Sequence, residues 1–501
     1  MKILFVSSEV FPLVKTGGLA DVSGSLPAAL HALGHDVRVL MPAYPTAVAA
    51  ASDLTKSRFQ QAGEEITMLS GTLPGTAVPL WLLDAPSAFG RGGNPYLAPN
   101  GTPWPDNADR FALLARVAID LTQDRLGFRW RPEVIHCNDW QTGLIPPLLR
   151  DEPTRPAVVF TVHNLAYQGL FPYDTFRRLS LPPRLWSMDG LEFYGQMSFL
   201  KGGLIFSDWL TTVSPTYAKE IQTTAFGCGL DGLLRARSDR LTGILNGIDD
   251  TTWDPRNDRY IATCYGPDSL FRKQENRSAL RRGLQLPDTD PDVALIGMVG
   301  RLVEQKGVDL LIDILPDLME LPLQLVILGS GEGEFERALA QAAEFFPDRI
   351  AIRLGYDEPL AHLIEAGSDM FLMPSRFEPC GLNQMYSQRY GTVPIVRKVG
   401  GLADTVEDAT PERLADGTAS GIVFEPAKPA FLLEAIYRAL ALFREPETWQ
   451  RICRRGMTKD FSWGRSARHY VEVYEQAIME SAHPSPTRYF PRLGDTAVAT
   501  R

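Results

Sequence analysis

At 501 residues, with 45% hydrophobic and 22% charged side chains, the chain has the composition of a globular protein of two or three domains. Its formal net charge of −10 argues against nucleic acid or an anionic membrane as partner. No run of eighteen apolar residues is present, so no membrane span is read, and the five scattered cysteines contain no CxxC pair, so neither a zinc site nor a disulfide framework is indicated. With the sequence turning polar at Ser7-Ser8-Glu9 after its first apolar run, no signal peptide is read and a reducing cytoplasm is expected.

Lys2-Ile-Leu-Phe-Val6 reads as a short buried strand, followed by a loop broken at Pro12. Lys15-Thr-Gly-Gly-Leu-Ala-Asp-Val22 then opens a helix whose apolar residues Leu19, Val22, Leu26, Leu30 and Leu33 recur at helical spacing. Adjacent glycines at a strand-to-helix turn let a ligand approach the backbone, and free amides with the positive end of the helix dipole suit an anion. Lys15 adds a charge there; the alternative is a tight turn with a solvated lysine. A strand at His35 to Pro42 follows, then two at Ile66 to Leu73 and Ala77 to Leu83, read as an antiparallel pair. Phe89 to Asn107, rich in Gly, Pro and Asn, is a long loop carrying Tyr96 and Trp104; a loop of this length is often functional. A helix is expected over Arg110 to Arg125. The strands Glu133 to Cys137, Ala157 to Val162, Leu210 to Ser214 and Thr242 to Leu245 come next. They run into Asp139 and Trp140, into His163 and Asn164, and into Asn246.

A polar, weakly periodic stretch from Thr251 to Asp292 separates this sheet from a second, whose strands begin at Ala294, Leu323, Ile350, Met370 and Pro394. The last leads into Gly400-Gly-Leu-Ala-Asp404, a second copy of the five residues at 17–21. Helices are expected at Leu432 to Phe443 and Ser466 to Met479, and a loose tail after His483. The rhythm is that of open, mostly parallel α/β sheets, in which ligands bind outside the carboxyl ends of the strands. Two such glycine turns point to two nucleotide-fold halves.

Arg301 and Lys306 share one short loop after the first strand of the second sheet. A guanidinium that grips two oxygens and a compact ammonium suit a departing diphosphate; the alternative is a solvated loop. Glu378, after the strand ending at Pro374, is placed to accept bonds from sugar hydroxyls or to stabilise a cationic sugar carbon, unless it is only an acid favoured by a helix dipole. His163 and Asp139 are candidates on the first sheet, whereas His136 within its strand reads as a core histidine. Tyr96, Trp104, Trp140 and Tyr167 offer planes for sugar rings, or simple packing.

Together these residues resemble the bacterial glycogen synthases, retaining glucosyltransferases that extend α-1,4-glucan from ADP-glucose, and their plant starch synthase relatives. The resemblance rests on Lys15 to Val22, His136-Cys-Asn-Asp-Trp-Gln141, Thr161-Val-His-Asn164, Asn246-Gly-Ile-Asp249, Gly300-Arg-Leu302, Gln305-Lys-Gly307 and Arg376-Phe-Glu-Pro-Cys-Gly-Leu382, in that order, and covers residues 1–480. It implies a GT-B architecture of two Rossmann-like domains with the active site in the cleft between them. The domains are expected at 1–248 (acceptor side) and 249–460 (donor side), with a helix over 461–480 crossing back and a tail over 481–501. The resemblance implies that Lys15, Gly17 and Gly18 meet the donor diphosphate from one domain and Arg301 and Lys306 from the other. Glu378, with the amides of Cys380, Gly381 and Leu382, holds the transferred glucose, and Tyr356 stacks on adenine. Asp21 and Asn246 serve the sugar end of the donor, with Asp139 and His163 beside the reacting carbon; Tyr96, Trp140, Asn164 and Tyr167 line the acceptor side. Asn383, assigned to the donor, stands where Thr is frequent in the family, and Val399 where Thr often precedes Gly-Gly. No metal or other cofactor is implied, and the partners are ADP-glucose and α-1,4-glucan, with neither nucleic acid nor membrane.

The competing reading is a catalytically silent GT-B protein that binds glucan. The intact set Lys15, Arg301, Lys306 and Glu378 argues against it. A dinucleotide-dependent dehydrogenase is disfavoured because the first loop is Lys-Thr-Gly-Gly rather than G-x-G-x-x-G.

Overall fold

The structure, a computed structural model, describes residues 1–61, 64–288 and 290–482. Contacts divide the chain into two units. One holds Met1–Val213, Ala218–Ile244 and the stretch from Ser466 on; the other holds Ser214–Tyr217 and Leu245–Arg465. The expected loose tail after His483 lies outside the described residues.

The first unit is built on a nine-stranded sheet. Its order is Leu241–Gly243, Trp209–Thr212, Ala157–Val162, Val134–Asn138, Lys2–Val6, Asp36–Pro42, Pro79–Asp84, Glu64–Thr72 and Thr55–Gln61. Every pair is parallel as far as Pro79–Asp84, and the last two strands pair antiparallel. The inner strands are continuous apolar runs because helices cover both faces: Ala157–Val162 is buried at every position. The strand order reverses between Lys2–Val6 and Val134–Asn138, so the loops after these two strands diverge and leave a crevice at their carboxyl ends. Glu9, the Lys15–Gly18 turn and Asp139 all lie on those loops.

The second unit is a six-stranded parallel sheet ordered Ile350–Leu354, Leu323–Gly329, Ala294–Val299, Met370–Met373, Val393–Arg397 and Ile422–Phe424. In chain order this is 3-2-1-4-5-6, the order of the dinucleotide-binding fold. The two-residue period of a strand sends alternate side chains into two separate cores. Ile296, Met298, Leu325, Ile327 and Leu372 enter one. Leu295, Val326, Leu328, Phe371 and Met373 enter the other. The order reverses between Ala294–Val299 and Met370–Met373, and the loops that leave these two strands carry Arg301, Lys306 and Glu378.

The helix Trp463–Ala482 belongs to the first unit from Ser466 on. Its Tyr470 and Tyr474 are fully buried, and the Tyr474 hydroxyl lies 2.7 Å from His136 Nδ1. With Nε2 of His136 2.6 Å from Thr161 Oγ1, both ring nitrogens are occupied, and burial pushes the imidazole down to about 3. His136 is a neutral core residue.

Candidate active site

In the first unit the Lys15–Gly18 turn is braced from beneath by a residue the sequence reading did not select. Glu9, 2% exposed, comes three residues after the end of the buried first strand, past Ser7 and Ser8. Its Oε2 accepts the amides of Thr16 at 2.5 Å and Gly17 at 3.2 Å, and its Oε1 accepts Thr16 Oγ1 at 2.6 Å and the Tyr96 hydroxyl. Burial pushes the Glu9 carboxyl up, while these bonds pull it down. The Tyr96 hydroxyl also meets Ser8 Oγ at 2.8 Å. The loop that delivers Tyr96 is held by buried Arg110, which donates to the carbonyls of Ala88 at 2.8 Å and Pro95 at 3.1 Å, and by Asn107, which donates to the Tyr96 carbonyl at 3.0 Å. Above the turn, Lys15 Nζ pairs with Asp21 at 2.7 Å, and both side chains reach solvent.

Asp139 sits at the end of Val134–Asn138 with φ of 56°, a left-handed conformation uncommon outside glycine. Its carboxylate accepts the His163 amide at 2.7 Å and the Asn164 amide. Burial outweighs these bonds and pushes Asp139 up to about 7, with the nearby charge of Glu9 adding in the same direction. The His163 imidazole is driven down to about 3 by burial, so it is neutral; its Nε2 lies 3.0 Å from Asn138 Oδ1. Asn164 folds its side chain back on its own loop, accepting the Ala166 amide at 3.1 Å. Tyr167 is 49% exposed. Trp140 lies in a cluster with Tyr96, Phe111, Phe171 and Phe199, and a Cβ added at Gly169 would stand 2.4 Å from its ring. The first unit thus joins Glu9 to the turn and to Tyr96, and places Asp139, which holds the His163 amide, near the Glu9 charge, with Tyr167 at the surface.

In the second unit, Lys306 Nζ and Glu378 Oε2 stand 2.5 Å apart, joining the two loops that flank the order reversal. Ser375 Oγ donates to the same oxygen at 3.0 Å. Glu378 is 6% exposed, so water has little access to the oxygen that these two donors meet. The Gln305 side chain donates to the Phe377 carbonyl at 3.3 Å, and the Arg376 amide to the Gln305 carbonyl at 2.8 Å. Arg301, exposed, donates to Gln305 Oε1 at 3.0 Å. Asn383, the first residue of the helix Asn383–Arg389, donates through its side chain to the Val299 carbonyl at 2.8 Å and pins that helix to the end of the central strand. Gly381 adopts φ of 71°, and the buried Cys380 thiol, pushed up to about 12, takes a bond from the Asn246 amide. Asn246 Oδ1 is buried and meets no donor among the described residues. Tyr356 follows the edge strand Ile350–Leu354 and is 77% exposed, set apart from the Lys306–Glu378 pair in chain and topology. Among the described residues, no group of three or more His, Cys, Asp or Glu side chains is arranged to hold a metal ion.

Residues 2–236 match the model of the starch synthase catalytic domain, and residues 280–454 that of the group 1 glycosyl transferases. The chain is 74% identical over 478 residues to glycogen synthase 1 of Methylococcus capsulatus, covering 95% of this chain and 97% of that one. It is 54% identical over 483 residues to the glycogen synthase of Thioalkalivibrio sulfidiphilus, covering 95% of this chain and 100% of that one. The catalytic domain of starch synthase IV from Arabidopsis thaliana, solved bound to ADP and acarbose, superposes with a TM-score of 0.86 at 33% identity, covering 95% of this chain and 99% of that one. The sheet orders, the loops at their reversals and these likenesses agree: the chain belongs to the glycogen and starch synthase family, glycosyltransferases of GT-B architecture.

Proposed function

We propose that the protein transfers glucose from ADP-glucose to the non-reducing 4-hydroxyl of an α-1,4-glucan with retention of configuration, releasing ADP. The observation that carries this reading is the Lys306–Glu378 pair at the order reversal of the second sheet, a cation and a buried carboxylate held on one short bridge. Arg301 and Lys306 are assigned to the diphosphate, as are Lys15 and the turn at Gly17 and Gly18. Glu378, with the amides of Cys380, Gly381 and Leu382, is assigned to the transferred glucose. Asn383 and Asn246 stand with the donor set, and Tyr356 with adenine.

In the reaction the bond from the sugar C1 to the diphosphate oxygen breaks and its electron pair leaves with ADP. The acceptor oxygen bonds to C1 on the same face and passes its proton to the departing phosphate. The neutral His163 ring supplies no proton, so its part is positional, through the backbone that Asp139 anchors. Ionised Asp139 stabilises the positive charge that grows on the sugar ring. Cations already in place do for the diphosphate what a metal would otherwise do, so no metal or cofactor is assigned. A cytoplasmic enzyme acting on a soluble donor and glucan, without a nucleic-acid or membrane partner, fits the net charge of −10 and the lack of any helix, among the described residues, long and apolar enough to cross a membrane.

The test is nucleoside diphosphate release from ADP-glucose and from UDP-glucose, each with and without glycogen. Glycogen-dependent release from ADP-glucose is expected. Release from UDP-glucose alone overturns the donor, and no release with glucan still bound overturns the catalytic reading.

A further inference from the structure

The turn Lys15–Gly18 offers an anion fewer amides than its sequence promises. Thr16 and Gly17 donate to the Glu9 carboxylate, at 2.5 and 3.2 Å. Gly18 and Leu19 begin the helix Gly18–Ala32, where the first turn has no intrahelical acceptor. A carboxylate beneath a turn assigned to a diphosphate opposes that anion by Coulomb repulsion. Yet four donors converge on it: the two amides, Thr16 Oγ1 and the Tyr96 hydroxyl. Glu9 is itself held, since its carbonyl accepts Ser7 Oγ at 2.7 Å, and Ser23 of the same helix donates to Ser7 Oγ at 2.9 Å. The Phe11 amide also donates to the Ala20 carbonyl at 3.0 Å. The acid, the turn and the helix start form one hydrogen-bonded unit.

We propose that Glu9 is a positioning residue for the sugar-nucleotide donor: it takes the Thr16 and Gly17 amides, fixes the turn, and so presents the amides of Gly18 and Leu19, with Lys15, to the diphosphate. Tyr96 then acts through Glu9, as the fourth donor that locks the carboxylate, rather than on the acceptor. This rests on the assignment of the turn to the donor diphosphate.

The replacement Glu9→Gln keeps the shape but leaves one acceptor oxygen and turns an NH2 group toward donors. ADP affinity, read by calorimetry without turnover, is expected to fall about tenfold. The KM for ADP-glucose rises by a similar factor, kcat and the KM for glycogen stay within about threefold, and the melting temperature stays within a few degrees. Tyr96→Phe, which removes a single donor, gives a smaller loss in the same direction. The double variant is no worse than Glu9→Gln alone, because the two act through one carboxylate. Unchanged ADP affinity in Glu9→Gln overturns the proposal. So do additive effects in the double variant, or a rise in the KM for glycogen rather than for donor. A wild type that binds ADP but releases none from ADP-glucose and glycogen sinks the synthase reading, while the ADP affinities still decide the role of Glu9.

Discussion

The five residues Gly-Gly-Leu-Ala-Asp occur at 17–21 and at 400–404, each time opening a helix after a strand, and the two copies do opposite things. In the second copy the glycines answer to the protein. Gly400 has φ of 42°, and a Cβ there would stand 1.9 Å from the Glu378 carbonyl oxygen; at Gly401 it would stand 2.2 Å from that of Cys380. The Gly401 amide donates to the Glu378 and Pro379 carbonyls at 3.2 and 3.1 Å, so the helix start is pressed onto the loop that carries Glu378. In the first copy nothing among the described residues lies within 4 Å of a Cβ at Gly17 or Gly18, and Gly17 has an extended φ of −158° open to any residue. One copy uses its missing side chains to shape a neighbouring loop; the other keeps them missing toward the outside. Sequence identity of a motif does not carry identity of role, because what a glycine permits depends on what stands next to it.

The largest effect that separates the copies should come from Gly401→Ala or Gly400→Ala. Backbone atoms cannot yield as a flexible side chain can, so a loss of about 3 kcal/mol or more is expected, with activity falling as Glu378 is displaced. Calorimetric unfolding checks it, and a melting temperature within a degree of the parent breaks the comparison.

Next in size is the pH response of the open half. If ionised Asp139 stabilises the charge on the sugar, kcat should fall about tenfold per unit as pH drops below about 7. Stability should run the other way. The folded Asp139 holds its proton more tightly than the unfolded chain does, so its contribution is full in acid and is lost as pH rises from the ordinary carboxylate range through about 7. Asp139→Asn should flatten both curves, as pH-rate profiles and unfolding at several pH values would read; an acid limb unmoved in Asp139→Asn removes it from the reaction.

Gly17→Ala comes third. It is expected to leave stability within about 0.5 kcal/mol and to raise the donor KM about tenfold, a factor worth about 1.4 kcal/mol. An unchanged KM would return this turn to simple packing.

How much of this was legible in the sequence follows from which patterns burial leaves behind. The parallel strands were plain because both faces are covered and every position is buried, as in Leu323–Gly329, where all but Gln324 are apolar or glycine. The helix Lys273–Gly283 was read as a polar connection because the side it buries carries Asn276, Arg277 and Arg281 beside Leu280, which no hydrophobic period reveals. The edge strand Thr55–Gln61 escaped for a related reason: Lys56, Ser57 and Arg58 face solvent, so it lacks an apolar side. The charged candidates Arg301, Lys306 and Glu378 were found from their places at strand ends, a rule about topology that holds without coordinates. Glu9 was seen only as a polar residue after the first strand, since its value lies in four donors arriving from Thr16, Gly17 and Tyr96. The signal that could have flagged it is an acid three residues after a buried strand and eight residues before a glycine turn. Asn383 departs from the family's frequent Thr, and its longer side chain reaches the Val299 carbonyl, a contact that only the fold exposes.

The smallest separation lies at the acid that ends each copy, and it is the one that isolates structure from chemistry. Asp404 accepts the Thr216 amide at 2.9 Å and Thr216 Oγ1 at 2.6 Å, holding the segment Ser214–Tyr217 that groups with the second unit. Removing it in Asp404→Ala leaves a partly buried amide and hydroxyl without their acceptor, which costs about 1–2 kcal/mol. Asp21 instead faces the ammonium of Lys15, whose side chain is 39% exposed, so water replaces much of what Asp21→Ala removes. An exposed ion pair of this kind contributes about 0.5 kcal/mol or less, and added salt reduces it further. Urea titration of the two variants at low and moderate salt measures both numbers. Equal losses at the two positions would mean that the first turn is as closely tied into its unit as the second, and the contrast between an outward and an inward motif would fail at its last residue.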